Sequence, residues 1–541
     1  MVGQRHDNSV SFLFLLIGTV VLLIGCSQPE TEREASRLVL SPDNPVSVTG
    51  GQILGKVSDT NLEVIAFTGV PFAGPPIGDL RWQPPKPVID WDGVRDSKTP
   101  GPLCMQAGSQ DQQQSEDCLY LNVWAPRAST EPLPVMVWIH GGGYRLGSGS
   151  GYDGTPLASR DVVLVTFNYR LNVFGFLAHP ALSIESEENA SGNYGLMDML
   201  AALDWVQDNI AQFGGDPDRV TIFGESAGGG SVMTLMIVPQ AEGLFHRAIS
   251  QSTYVPGWDR GLTDSGAGWE AAEIQGTWIA EALSAPSEDP LPTMRSATSV
   301  AVLEAAKVGF GSVFTRTPPV WAPNVDGWIV PNDPLVMYRE SRQHDLPLIT
   351  GMTGNEGSLF RSRAGITTVE DFESYVHTHY PTIAAEALAF YKATSADVLD
   401  ASIDHLIQDM VFAGPVRAQL KAHAQVPSAA WLYSFAQVPP TDMGGRFGAH
   451  HASELPYVFG TMGNDAPWTD TDRKISSIMM SYWTQFAETG NPNREDLPTW
   501  PTFDAADRHI TFAAEIDEGT GLHRKGAALF DRYEETLRAK R

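Results

Sequence analysis

Arg219-Val220-Thr221-Ile222-Phe223-Gly224-Glu225-Ser226-Ala227-Gly228 is the stretch on which the reading of this chain turns. Residues 219–223 form a continuous β-rich run of the kind found in buried strands. The small residues from Ala227 to Ser231 then open a helix. The Gly-x-Ser-x-Gly between them carries weight because a strand runs straight into it and a helix leaves it. On such a strained turn the serine hydroxyl projects above the sheet, and the residues two before and two after must be small. The start of the helix also aims partial positive charge at the oxygen. A serine hydroxyl is a poor nucleophile at neutral pH, so Ser226 as candidate nucleophile demands a base and a site for developing negative charge.

The second demand is met upstream. Val135 to Ile139 and Val162 to Phe167 read as buried central strands, and the first leads into His140-Gly141-Gly142-Gly143. Glycine lets the backbone approach a substrate and turn its N–H groups inward. The backbone N–H groups of Gly142 and Gly143, with that of Ala227 after the nucleophile, are the candidate oxyanion donors. Losing one such donor typically costs about 100- to 1,000-fold in rate. His140 is expected to brace this loop, and Tyr144 to form part of a pocket wall.

Further out, Leu196, Met199, Leu200, Leu203, Val206 and Ile210 follow a helical period over 195–212, stopped by Gly214-Gly215 with a turn at Asp216-Pro217. More strands are expected near 245–250, 346–350 and 430–436. Residues 255–345 and 360–425, rich in helical patterns and Pro, read as insertions that would roof the active site. The expected fold class is α/β: a large, mostly parallel central sheet flanked by helices, in one domain over 46–541. No repeat or low-complexity segment interrupts it.

The bulk numbers exclude other classes. With 36 Lys+Arg against 64 Asp+Glu the formal net charge is -28, a field that repels polyanions, so no nucleic-acid role is expected. No Cys or His cluster has zinc-like spacing, and neither a phosphate-binding loop nor a dinucleotide fingerprint occurs, so no metal and no cofactor is expected. No motif speaks to oligomeric state.

The N-terminus reads as a targeting segment. Arg5 precedes an apolar run from Val10 to Gly25, short for a membrane span, which ends at Leu23-Ile24-Gly25-Cys26. That ending resembles a bacterial lipobox, which implies a signal peptide over 1–25, lipidation of Cys26 and a polar tether over 26–45. Ser27 after the Cys favours the outer membrane over inner-membrane retention, with the periplasm as the other destination. An uncleaved anchor helix followed by an incidental Cys is the alternative. Membrane contact is thus expected only through a lipid anchor. Of the three Cys in the chain, Cys104 and Cys118 then remain for one disulfide in an oxidising compartment. Closing a loop of that size contributes roughly 3 kcal/mol in the chain-entropy picture.

Over residues 50 to 510 the chain resembles the type-B carboxylesterases of the α/β-hydrolase superfamily. The resemblance is carried by Gly69-Val70-Pro71-Phe72-Ala73, Leu80-Arg81-Trp82, Glu116-Asp117-Cys118-Leu119-Tyr120-Leu121-Asn122-Val123, Asn168-Tyr169-Arg170-Leu171, Gly192-Asn193-Tyr194-Gly195-Leu196 with Asp198, the Ser226 turn, and Gly490-Asn491-Pro492-Asn493. It implies an α/β-hydrolase fold and hydrolysis of small-molecule carboxylic esters without a cofactor. It also implies that Glu356, in Gly351-Met352-Thr353-Gly354-Asn355-Glu356-Gly357, is the acid, and that the catalytic histidine lies three residues before a Glu. His450 and His451 compete for that place, and His451 has the offset to Glu454, Leu455 and Pro456. The order Ser226, Glu356, His451 is the one expected for this fold. Glu225 is expected to be a buried structural acid.

The family also contains cholinesterases, lipases and non-catalytic adhesion proteins. A cholinesterase-like member would carry a Trp for cation–π contact in the loop closed by its first disulfide. The segment between Cys104 and Cys118 contains no Trp, Tyr or Phe. A lipase for longer acyl chains and a cell-surface binding module remain as alternatives, the second of which predicts a broken triad or glycine loop.

Overall fold

The computed structural model describes residues 38–108, 113–255, 259–265, 269–306, 320–463 and 466–539. The apolar N-terminal run, Cys26 and the tether up to residue 37 lie outside the described residues. Arg37–Arg541 form one compact unit. The tether read for 26–45 ends sooner in the described part. Leu38–Val39 pairs antiparallel with Ala128–Ser129, and Leu40 is buried, so this apolar stretch joins the domain.

Among the described residues, the core is an eleven-stranded sheet. In chain order its strands are β1 Lys56–Val57, β2 Val64–Pro71, β3 Tyr120–Pro126, β4 Leu133–Ile139, β5 Val163–Phe167, β6 Gly215–Glu225, β7 Arg247–Gln251, β8 Leu348–Thr353, β9 Ala430–Phe435, β10 Arg508–Phe512 and β11 Asp517–Thr520. The spatial order is β11-β10-β9-β8-β7-β6-β4-β5-β3-β2-β1. From β5 to β10 every pairing is parallel, while β1, β2, β3 and β11 complete the edges antiparallel. The chain reverses its direction of travel across the sheet at β4, which lies between β5 and β6. Open parallel sheets bind ligands at the carboxyl ends of strands near such a reversal.

The strands expected near 245–250, 346–350 and 430–436 are β7, β8 and β9. The helix read over 195–212 is α1, Tyr194–Asn209, continued by a 3-10 turn over Ile210–Phe213 and closed by Gly214 at φ +82°. The turn at Asp216-Pro217 does not end a segment but sits inside β6. The register jumps from Leu133↔Gly215 to Val135↔Val220, and Asp218 N–H bonds Asp216 Oδ1 within the bulge. β10 and β11 carry no pattern that marked them as strands.

Several of the quoted motifs brace the fold. Arg170 donates from Nε and Nη2 to the two oxygens of Asp198 at 2.8 Å, both groups being buried. Arg81 likewise clamps Glu116. Buried charges of this kind persist only when paired and hydrogen-bonded. The 360–425 insertion contains α3, Ala396–Ile407, and α4, Gly414–His423, joined by a π-helical stretch over Gln408–Ala413. Such bulges re-aim side chains and recur at functional sites. Among the described residues, no helix is long and apolar enough to cross a membrane.

Candidate active site

Ser226 sits where β6 gives way to helix α2, Ala227–Leu235, with φ +58° and ψ −121°. A non-glycine residue held there costs about 1–3 kcal/mol and persists only where its surroundings over-determine it. Here they do. Ser226 N–H donates to Gln251 O at 2.9 Å, and its carbonyl accepts from Gly230 and Tyr254 N–H. The flanking glycines are sterically required. A Cβ on Gly228 would stand 1.9 Å from Ile139 O, and one on Gly224 would stand 2.6 Å from the Gly228 backbone.

The glycine loop leaves the end of β4 beside this turn. Gly142 and Gly143 have φ of +107° and +65°, and a Cβ on Gly142 would stand 2.0 Å from Leu146 O. Among the described residues, the N–H groups of Gly142, Gly143 and Ala227 donate to no protein acceptor. His140 is buried and stacks on Tyr169, centroids 4.4 Å apart, while its Nδ1 donates to Gly141 O. Burial pushes its pKa down to about 4, so it is neutral and braces the loop. A second brace comes from the segment between Cys104 and Cys118, whose Sγ atoms form a disulfide. Gln106 on that segment donates to Gly147 O at 3.0 Å and accepts from Gly147 N–H at 2.9 Å. Tyr144, expected to wall a pocket, instead packs edge-on against Phe176 in the core. Its backbone has a positive φ of +60°.

Glu356 and His451 meet at the carboxyl ends of β8 and β9. His451 Nδ1 lies 2.5 Å from Glu356 Oε2. The other oxygen, Oε1, accepts from Ser252 Oγ at 2.6 Å and Thr353 N–H at 2.7 Å, so the fully buried carboxylate has all its partners. Gln408, from the π-helical stretch, accepts from Glu356 N–H and donates to Thr353 O. His450 does not reach Glu356; its Nδ1 donates to His451 O at 2.8 Å.

His451 Nε2 stands 3.1 Å from Glu225 Oε1. Among the described residues, Ser226 Oγ makes no hydrogen bond, so the structure joins Glu356 to His451 without joining His451 to Ser226. Glu225, read as a structural acid, is buried as expected but faces the His451 imidazole directly. Glu454 lies nearby, fully buried, and accepts from Gln251 Nε2 at 3.1 Å. Burial pushes Glu225 up to about 8 and Glu454 up to about 7. Burial alone would depress His451, but Glu225, Glu356 and Glu454 overcome it and raise the imidazole to about 9.

Aromatic rings enclose the imidazole. Phe360 and Phe412 lie 5.0 and 4.8 Å from the His451 ring, and Tyr254 lies 6.2 Å from Phe412. Phe360 and Phe412 come from the 360–425 insertion. Neither these rings nor Ser252 and Gln408 stand in any motif; Phe360, Gln408 and Phe412 lie in a segment expected to cover the site, while Ser252 and Tyr254 precede the first such segment and nothing in the sequence pointed to them.

The model of the carboxylesterase family matches residues 42–526. The chain belongs to that family. Its carboxylesterase relatives include a fumonisin B1 esterase of Sphingopyxis macrogoltabida, 36% identical over 485 residues, covering 86% of this chain and 87% of the relative. A para-nitrobenzyl esterase of Bacillus subtilis is 36% identical over 479 residues, covering 83% and 91%. Among solved structures, a PNB esterase superposes with a TM-score of 0.75 at 32% identity, covering 90% of this chain and 99% of that one. This carboxylesterase therefore has the α/β-hydrolase fold and is a carboxylic-ester hydrolase.

Proposed function

We propose that the protein is a serine carboxylesterase that works through an acyl-enzyme, with Ser226 as nucleophile, His451 as base and Glu356 as the acid that orients it. The observation that carries this reading is the 2.5 Å contact between Glu356 Oε2 and His451 Nδ1, on the same side of the sheet as the strained Ser226 turn. Glu356 fixes the tautomer, leaving Nε2 to take the Ser226 proton as Oγ attacks the ester carbonyl. For that step the Ser226 hydroxyl rotates to Nε2 in place of Glu225; catalytic hydrogen bonds commonly tighten only once substrate is bound. The oxyanion forms against the N–H groups of Gly142, Gly143 and Ala227. Nε2 then returns the proton to the departing alcohol, and water cleaves the acyl-enzyme by the reverse proton path.

The test is hydrolysis of p-nitrophenyl esters from acetate to palmitate by the wild type and Ser226→Ala. Turnover that peaks at short chains and vanishes in the variant is expected. A peak at long chains would make the protein a lipase, and turnover retained by Ser226→Ala would overturn the mechanism.

We further propose that the chain is exported with its anchor at Cys26, after removal of residues 1–25. The apolar run ending at Leu23-Ile24-Gly25-Cys26 supports this, as does the Cys104–Cys118 pair, since disulfides persist in oxidising compartments. Incorporation of labelled palmitate that is lost in Cys26→Ser is the expected result, and no incorporation would overturn it.

A further inference from the structure

The far end of the chain reaches Glu356 through the π-helical stretch Gln408–Ala413. Helix α5, Arg524–Arg538, packs against this stretch and against α4 behind it. Two glycines let the backbones meet. A Cβ on Gly526 would stand 1.8 Å from Asp409 Oδ2, and one on Gly414 would stand 2.3 Å from the Phe530 ring. Gly526 and Phe530 lie four residues apart on α5, so one face of the helix grips the stretch at both ends. Glycine is a poor helix former, and Gly526 holds its place in the first turn because any side chain there would collide with the Asp409 carboxylate.

Asp409 is the point of anchorage. Its buried carboxylate accepts from the Tyr391 hydroxyl on Oδ2 at 3.1 Å, and its Oδ1 lies 2.6 Å from His523 Nδ1. His523 stands just before α5 with φ +51°, a conformation that persists in a non-glycine residue only where the surroundings fix it. Next to Asp409, Gln408 accepts from Glu356 N–H and donates to Thr353 O, and Phe412 sets its ring 4.8 Å from that of His451. A π-bulge holds one residue more than a regular turn. Losing it would swing the side chains on one side by about 100° against those on the other, the step of one residue in an α-helix.

We propose that His523, acting through Asp409, is a positioning residue for Glu356: the pair holds the bulge in register and so aims Gln408 at the backbone of the acid. This rests on the reading of Glu356 as the acid of a serine esterase. A buried carboxylate stripped of a partner is strongly unfavourable, so Asp409 without His523 would shift toward water or another donor. Gln408 is the adjacent residue and moves with it. A misplacement of about 1 Å, arising far from the chemistry, is enough to slow catalysis severely.

The experiment measures kcat and KM on p-nitrophenyl acetate for His523→Gly and His523→Asn, each alone and combined with Gln408→Leu. Glycine removes the donor without straining a positive φ, while asparagine tolerates that φ and keeps an N–H donor. His523→Gly should lower kcat by about tenfold with KM little changed, and His523→Asn should restore most of the loss. In the Gln408→Leu background His523→Gly should cost little more, because both changes break the same line of contact. Asp409→Asn weakens the pairing from the other side and should show the same split, which carries the test if His523→Gly does not fold. Unchanged kcat in His523→Gly or Asp409→Asn, or a loss that adds in full to that of Gln408→Leu, would overturn the proposal and leave the esterase reading intact. Turnover retained by Ser226→Ala would overturn both.

Discussion

Glu225 Oε1 lies 3.1 Å from His451 Nε2, so the nitrogen assigned to receive the Ser226 proton faces a carboxylate on the preceding residue. A base must be neutral to act, and the carboxylates around His451 raise it to about 9 against the opposing effect of burial. Activity limited by this imidazole should therefore climb as pH rises toward the alkaline side. Glu225→Gln removes one of the charges that favour imidazolium and should move the acid limb of the kcat/KM profile to lower pH. Profiles of the wild type and the variant on a neutral ester check this. An unmoved limb would show that Glu225 does not act on the base.

The adjacent histidines make a paired test. His451→Ala should lower kcat by about 10⁴-fold or more, in line with removal of a triad base. His450→Ala loses one bond to the His451 carbonyl and should keep most of the activity. Steady-state rates of both variants decide it, and the reverse pattern would displace His451 from its role.

Gln408→Leu keeps much of the side-chain volume but strips the partners from Glu356 N–H and Thr353 O. Leaving buried backbone groups unpaired costs about 1–3 kcal/mol each, so the unfolding midpoint should fall. As a positioning residue Gln408 touches no substrate, so kcat should drop with KM little changed. A variant that loses stability but keeps kcat would make its role purely structural.

Replacing Cys104 and Cys118 together by Ser should reduce stability by about 3 kcal/mol, the loop-closure contribution expected for their separation. The same change should slow catalysis, because Gln106, two residues beyond Cys104, holds Gly147 and through it the glycine loop. Denaturation midpoints and kcat for the double variant test both parts.

The nucleophile turn and the glycine loop were legible because each is local. Strand, turn and helix follow one another in sequence, and the glycines announce positive φ. Glu356 and His451 needed the family resemblance, since their meeting across 95 residues leaves no periodic trace. β10 escaped notice because Arg508-His509-Ile510-Thr511-Phe512 alternates too briefly to stand out, although His509 and Ile510 are buried by their neighbours. Gln408 was illegible for a deeper reason. Its aim depends on a local change of helical pitch that the sequence of the insertion does not advertise.

That same Gln408 limits how freely such a chain can be recombined. Ser226, Glu356 and His451 sit at the ends of sheet strands, which suggests a chassis onto which a new roof could be grafted to change what is accepted. Yet the roof reaches back down: one glutamine from the insertion holds the backbone on which the acid stands. A chimera that exchanges 360–425 for a relative's segment inherits a working enzyme only if the donor brings its own brace in register. Novelty in specificity must then arrive in units that include the joint, and point changes at Phe360 and Phe412 are the shorter route.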